Sequence, residues 1–170
     1  QLFAGNGTAP NLSGLANTGN FTAHGYTAAS LTSAGLLNNG FDLIGKAIGD
    51  AKASEYSADV ILLNPADWWN LRLSKDSQGR YVLGDPGSVA PQTLFGRPVI
   101  DSNAVPAGKV MVCKLGMAAT LYNREGVVVE MSDSDGDNFQ KNLVTIRAER
   151  RLALAVEIPA AIRYGDLKPA

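Results

Sequence analysis

Asp137 to Ile158 reads DNFQKNLVTIRAERRLALAVEI, and its apolar residues fall on alternate positions for longer than one compact sheet needs. Val144, Ile146, Ala148, Leu152, Leu154, Val156 and Ile158 share one face, while Thr145, Arg147, Glu149, Arg151 and Glu157 take the other. That alternation predicts a strand with one buried and one wet side. At ~3.3 Å per residue such a strand spans roughly 50 Å, whereas a compact globule of this length is roughly 40 Å across. The segment is therefore expected to leave one sheet and enter another, crossing at Arg150, which alone interrupts the apolar face. An elongated molecule follows, with a main domain and a second sheet that this chain supplies only in part.

Upstream, the residues alternate between helical and strand patterns. Leu37, Phe41, Ile44, Ile48 and Ala51 recur at spacings of four and three and predict a helix, with Thr32 or Ser33 as its cap. Gly45 and Gly49 lie four apart within it, and a glycine there costs about 1 kcal/mol against alanine; close approach of a neighbour is the functional reading, plain tolerance the ordinary one. Val60-Ile61-Leu62-Leu63 reads as a fully apolar strand. Asn64 then caps a helix with Pro65 at its first position and Asp67 at its third. Trp69 and Leu73 can share one face of that helix, which leaves Trp68 pointing to the rim or a neighbour. Asp76 to Gly79 reads as a turn, and strands are expected at Arg97 to Ile100, at Lys109 to Lys114, and at Val127 to Met131 after Gly126. The fold class is therefore α+β (mixed α/β): a central mixed sheet flanked by helices, with the long strand running into a second, partial peripheral sheet.

The first 33 residues differ from the rest. Gln1-Leu2-Phe3 has no initiator methionine, so an upstream region is expected, and Gly5 to Ser33 is crowded with Gly, Asn, Thr, Ser and Ala, which predicts a loop-rich leader. The expected division is residues 1–33 as leader, 34–149 as central domain and 150–170 as the strand continuing into the peripheral one. Asn6, Asn11 and Asn20 each begin an Asn-x-Ser/Thr triplet, which a segment of this composition produces without glycosylation.

Composition and charge exclude several classes. The chain has 170 residues, 45% hydrophobic and 18% charged, enough for one good core. Fifteen basic residues against sixteen acidic leave a net charge of −1, so no strong basic field exists to hold a phosphate backbone. No apolar run approaches the ~18 residues of a membrane span. Cys113 is the single cysteine and sits in the apolar run Val110 to Cys113, as a buried reduced thiol would.

No catalytic or cofactor constellation emerges. His24 is the single histidine and has neither a serine-acid pair nor a second metal ligand near it in sequence. Asp133, Asp135 and Asp137 alternate like the start of a calcium loop, but Asn138 and Val144 stand where that loop needs glycine and glutamate. Gly5-x-Gly7 lacks the strand and third glycine of a dinucleotide fingerprint. The charge cluster of Arg147, Glu149, Arg150 and Arg151 is ordinary surface pairing on one reading and a register-fixing subunit contact on the other.

Five pieces in fixed order carry a resemblance: Asn64-Pro65-x-Asp67-Trp68, Lys75-Asp76-x-x-Gly79-Arg80-Tyr81, Gly96-x-Pro98-Val99, Asp137-Asn138-Phe139-x-Lys141-Asn142, and Glu149-x-Arg151-Leu152-Ala153-Leu154. From roughly Leu2 to Tyr164 the chain resembles the major capsid protein of tailed double-stranded DNA bacteriophages, in the part that follows that family's N-terminal arm, extended loop and spine helix.

The resemblance implies a mechanical role. Subunits of this kind pack as hexamers and pentamers into an icosahedral head enclosing DNA; the central domain points to each capsomer's centre and the second sheet meets neighbours around three-fold positions. Partners implied are other copies of the chain, with scaffold, maturation protease, portal and cementing proteins; no sequence-specific nucleic acid, membrane or cofactor is implied. The protein would be assembled in the bacterial host cytoplasm and reside in the virion. Contact candidates are Trp68, Arg80, Asn138, Asn142, Arg147, Glu149, Arg150 and Arg151. In some members an asparagine matching Asn142 is joined covalently to a lysine on a neighbour's extended loop, assisted by a glutamate matching Glu149. Arg150 departs from the pattern, which has a second acid there. The rival readings are an encapsulin-like compartment shell, distinguished by a cargo-peptide groove, and a free-standing small-molecule-binding or enzymatic α/β domain, distinguished by a pocket of convergent polar groups.

Overall fold

A run such as Val60-Ile61-Leu62-Leu63 has no polar side chain to turn towards water, so it is stable only when covered on both faces. In the computed structural model, which describes residues 1–35, 39–84 and 91–168, all four of its side chains are buried. The chain runs in the order β1 (Thr22–Ala23), α1 (Ala28–Ser33), α2 (Gly40–Ala53), β2 (Val60–Leu63), α3 (Pro65–Arg72), β3 (Thr93–Leu94), β4 (Arg97–Asp101), β5 (Lys109–Cys113), α4 (Leu115–Ala118), β6 (Ala119–Ser132), α5 (Asn138–Lys141), β7 (Thr145–Val156), a 3-10 turn (Pro159–Ala161) and β8 (Ile162–Asp166).

Among the described residues, six strands form one sheet in the order β1-β8-β5-β2-β4-β3. It is mixed: β1 with β8 and β2 with β4 are parallel, while β2 with β5, β5 with β8 and β3 with β4 are antiparallel. The expected mixed sheet with flanking helices is what the chain forms.

Period-two alternation divides the core into two clusters. Ile61, Leu63, Val110 and Val112 pack with Leu43, Ile44 and Ala47 of α2 and with Trp68 and Leu71 of α3. Val60, Leu62, Met111 and Cys113 pack on the other side with Ile162, Ala118 and Phe3, joined by Leu15, Phe21 and Tyr56. The leader thus covers a sheet face, and it contains β1 and α1 as well as loops. Its small polar residues predict turns correctly, but Phe3, Leu15 and Phe21 are spaced too irregularly to announce an element.

Local capping follows the physics of helix ends. Asn39 caps α2 by accepting the Asp42 N–H at 2.8 Å, so Thr32 and Ser33 are not its cap; they lie in α1, which Thr27 caps. Leu37, counted in the predicted stripe, lies outside the described residues. At Gly45 a Cβ would meet the Phe95 ring at 3.3 Å, so close approach explains that glycine, whereas Gly49 faces open space. Asn64 caps α3 by accepting the Ala66 N–H at 3.0 Å, and its amide donates to the Val105 carbonyl at 2.8 Å.

The chain divides into two compact units, one comprising Gln1–Thr120 with Val156–Ala170, the other Leu121–Ala155. This is not the division expected at positions 33/34 and 149/150. The second unit is the β6–β7 pair with α5, so Arg150 lies within a strand and the chain after Ala155 rejoins the first unit. β6 is far longer than Val127 to Met131 suggested; its charged positions Arg124 and Glu125 conceal the strand from a search for apolar runs.

Candidate functional site

The second unit is a two-stranded hairpin. Its ion pairs join Arg147 to Glu130 and Arg151 to Glu125, numbers that rise on one strand as they fall on the other, as antiparallel strands require. Arg151 lies 3.3 Å from Glu125, and Glu149 sits between the two arginines, 3.9 Å from Arg147 and 4.0 Å from Arg151. The hydrogen bond that Arg147 donates to Glu130, then the charge of Glu149, hold the Arg147 guanidinium above its ordinary value. Arg150 points away from this row and reaches Asn123 at 3.5 Å. Such exposed pairs contribute little energy, but they fix the hairpin register.

The turn between the strands is tied by its own polar network. The Asn138 amide donates to the Thr145 hydroxyl at 2.6 Å, and that hydroxyl donates to Asp135 at 3.1 Å. Lys141 pairs with Asp137 one helical turn away. Asn142 ends α5 in the left-handed region with φ 54°, a conformation asparagine tolerates better than most residues. It is exposed. Ser132 and Ser134 face each other at 2.9 Å in the same turn.

The apolar face of β7 is not buried as the alternation predicted. Ile146 is 65% exposed and Val144 60%, while Val127, Val129, Met131 and Phe139 of the same unit are 69%, 56%, 71% and 81% exposed. Only at its end does the predicted face meet a core, where Val156 and Ile158 pack into the second cluster of the first unit. A single hairpin has no second layer to supply cover, which is why a correct periodicity gave a wrong burial.

Elsewhere the candidates scatter. Arg80 lies in the first unit and pairs with Asp76 at 3.0 Å across the predicted turn; backbone N–H donation from Arg80 leads in holding the Asp76 carboxyl below its usual range. Trp68 is corrected: it is 3% exposed and lies in the core, whereas Trp69 is 53% exposed, with the Arg72 guanidinium 5.0 Å from its ring. The reversal arises because α3 turns Trp68 and Leu71, not Trp69 and Leu73, onto the sheet. The structure therefore gathers Asn138, Asn142, Arg147, Glu149, Arg150 and Arg151 in one unit and leaves Trp68 and Arg80 apart. Sequence reading missed Val127, Val129, Met131 and Phe139 as surface residues, since nothing in an apolar residue's identity tells whether its cover is present.

Among the described residues no group of three or more His, Cys, Asp or Glu could hold a metal ion, and no helix is long and apolar enough to cross a membrane. What the geometry offers is a six-stranded sheet in one unit and, in the other, a hairpin with exposed apolar residues and a register-fixing charged row. The chain belongs to the phage capsid family, which it matches over residues 1–167. It is 42% identical over 165 residues to the major capsid protein of Enterobacteria phage HK97, a match covering 97% of this chain and 41% of that protein. The chain thus spans less than half the length of that relative.

Solved structures show the same fold. The capsid of an empty GTA particle matches with a TM-score of 0.62 at 20% identity, over 85% of this chain and 48% of its own. A structure of Microbacterium phage Oxtober96 matches with a TM-score of 0.63 at 16% identity, over 89% of this chain and 52% of its own.

Proposed function

We propose that the full-length protein is the building block of an icosahedral phage head that encloses double-stranded DNA, assembled from hexamers and pentamers. Its role is mechanical. The observation that carries this reading is the exposed apolar set on the hairpin, Val127, Val129, Met131, Val144 and Ile146. Several large apolar side chains left exposed on one two-stranded unit are what a contact site presents. Membership of the phage capsid family supplies the occupant, other copies of the same protein, and the resemblance adds scaffold, protease, portal and cementing proteins around them. In this assembly the six-stranded sheet belongs to the domain facing the capsomer axis, and the hairpin meets neighbours around three-fold positions.

Within that surface Asn142 is the proposed acceptor of a covalent link. A lysine amine from a neighbouring subunit attacks the Asn142 carboxamide carbon, a new C–N bond forms and ammonia leaves. Glu149 takes the lysine proton. The exposed position of Asn142 at the end of α5 supports access for such a partner.

Electron microscopy of the full-length protein tests the assembly. Uniform closed shells are expected, with DNA inside when they are taken from an infected cell. Dispersed monomers under every condition would overturn the proposal, and shells loaded with one protein cargo would favour a compartment shell.

A further inference from the structure

His24 follows the edge strand β1, and its backbone N–H donates to the Tyr164 carbonyl at 3.2 Å. Both ring nitrogens are engaged. Nε2 lies 2.9 Å from the Asp166 carbonyl oxygen, and Nδ1 accepts the Tyr26 backbone N–H at 3.1 Å. A carbonyl oxygen only accepts and a backbone N–H only donates, so the proton must sit on Nε2 and Nδ1 must keep its lone pair. The arrangement therefore demands a neutral imidazole. The ring lies hard against β8, where a Cβ on Gly165 would come within 2.3 Å of Nε2. Tyr26 stacks on the imidazole with centroids 4.7 Å apart and planes 10° from parallel.

We propose that His24 is a pH-operated latch: when neutral it clamps Thr22–Tyr26 to the outer edge of β8, and its protonation releases that segment. A proton added to Nδ1 points at the Tyr26 N–H, setting donor against donor where a hydrogen bond stood. Tyr26 anchors the far end of this segment, its hydroxyl donating to Asp50 and its ring packing on the first core cluster, but the stretch before it has little else to hold it. Its ladder with β8 pairs only Thr22 with Arg163 and Ala23 with Tyr164, supported by Thr22 donating to the Pro159 carbonyl at 3.2 Å and by the Phe21 ring on Tyr164.

The charged groups around the latch come from three elements. Asp166 of β8 and Lys109 of β5 face the imidazole, paired with each other at 2.6 Å. Through Tyr26 the ring also senses α2, where Lys46 lies 5.3 Å from the Tyr26 centroid and Asp50 accepts the Tyr26 hydroxyl; Arg163 of β8 acts on Tyr26 as well. Burial is the largest influence and lowers the His24 pKa below its ordinary 6.5, the Asp166 carbonyl and carboxylate oppose it, and Lys109 adds to it. A histidine with a lowered folded value contributes its full stability above the unfolded value, and loses it as pH falls through the folded one. The latch is thus closed at neutral pH and opens as pH falls through that lowered value, baring the outer edge of β8.

Hydrogen exchange read by mass spectrometry on the full-length protein, at pH 7 and pH 5 with intrinsic rates corrected, tests this. In the wild type the peptide covering Thr22–Tyr26 should exchange several-fold faster at pH 5, while peptides from β2 and β5 stay protected. His24→Gln keeps an amide donor for the Asp166 carbonyl and does not titrate, so its strap should exchange alike at both pH values. Gly165→Ala pushes the ring off β8 and should leave the strap open at both. Equal protection of the wild-type strap at the two pH values would overturn the latch, as would acid opening undiminished in His24→Gln or a Gly165→Ala strap still protected at pH 7.

Discussion

The Asn138 side-chain amide reaches across the hairpin turn to the Thr145 hydroxyl at 2.6 Å, tying the first residue of α5 to the first residue of β7. That bond closes the turn that presents Asn142, because Thr145 in turn holds Asp135 at 3.1 Å. Replacing Asn138 by Ala should cost about 1 kcal/mol, the net worth of a typical hydrogen bond. The Leu143 amide, which donates to the Asn138 carbonyl at 2.9 Å, should lose exchange protection while β2 and β5 stay unchanged. If linkage through Asn142 occurs in assembled shells, Asn138→Ala should slow it, and Asn142→Asp should abolish it, both visible as lost high-mass bands on a denaturing gel.

The tryptophan pair of α3 should separate core from surface. Trp68→Ala removes a ring buried in the cluster of Ile61, Leu63 and Val99 and should cost about 3–5 kcal/mol. Trp69→Ala loses only the exposed stack with Arg72 and should cost at most about 1 kcal/mol. Denaturant titration of both variants gives the difference directly; equal losses would mean that α3 packs the other way.

Asn64 holds two elements at once, capping α3 and bonding the Val105 carbonyl 41 residues away. Asn64→Ala should therefore cost about 2 kcal/mol, a cap of ~1 kcal/mol together with a second hydrogen bond of similar size. Asn64→Asp keeps the cap and loses the donor to Val105, so its midpoint in urea should fall between the other two.

Burial pushes the Cys113 thiol up from 9.0 to about 12, with Asp59 adding to the shift. The folded protein disfavours the thiolate, so this group's contribution to stability is complete below pH 9 and is lost as pH climbs towards 12. Native protein should resist iodoacetamide at pH 8 and react fully only after unfolding in guanidinium. Fast labelling of the native chain would show that the cluster around Met111 and Ile162 opens readily.

Charge placed on the bare hairpin should block assembly without unfolding the subunit. Met131→Glu and Ile146→Glu alter side chains that are 71% and 65% exposed, so the melting temperature of the dispersed protein should hardly change. Sedimentation should show shells replaced by small species. Retained shells would remove this face from the subunit contact.

Much of the architecture was written locally. The Asn64-Pro65 corner, the fully apolar β2 and the turn at Asp76 each rest on residues within one or two turns of each other, and each is present as read. The leader and β6 were less legible. Phe3, Leu15 and Phe21 reach the sheet through irregular chain that no periodicity describes, and Arg124 and Glu125 break the apolar signal of a strand that runs from Ala119 to Ser132. His24 looked inert in sequence because its partners, the Asp166 carbonyl and Gly165, lie some 140 residues on.

By itself the sequence determined the strands β2, β4 and β5 and the helices α2 and α3, because periodicity and side-chain chemistry are local properties. Only the tertiary structure decided that the chain returns to the first unit after Ala155, which tryptophan of α3 is core, and that the apolar face of β7 is bare at Ile146 while Val156 reaches a core. Those outcomes depend on what stands opposite each residue, and an alternating strand carries the same pattern whether its cover is its own chain or another subunit.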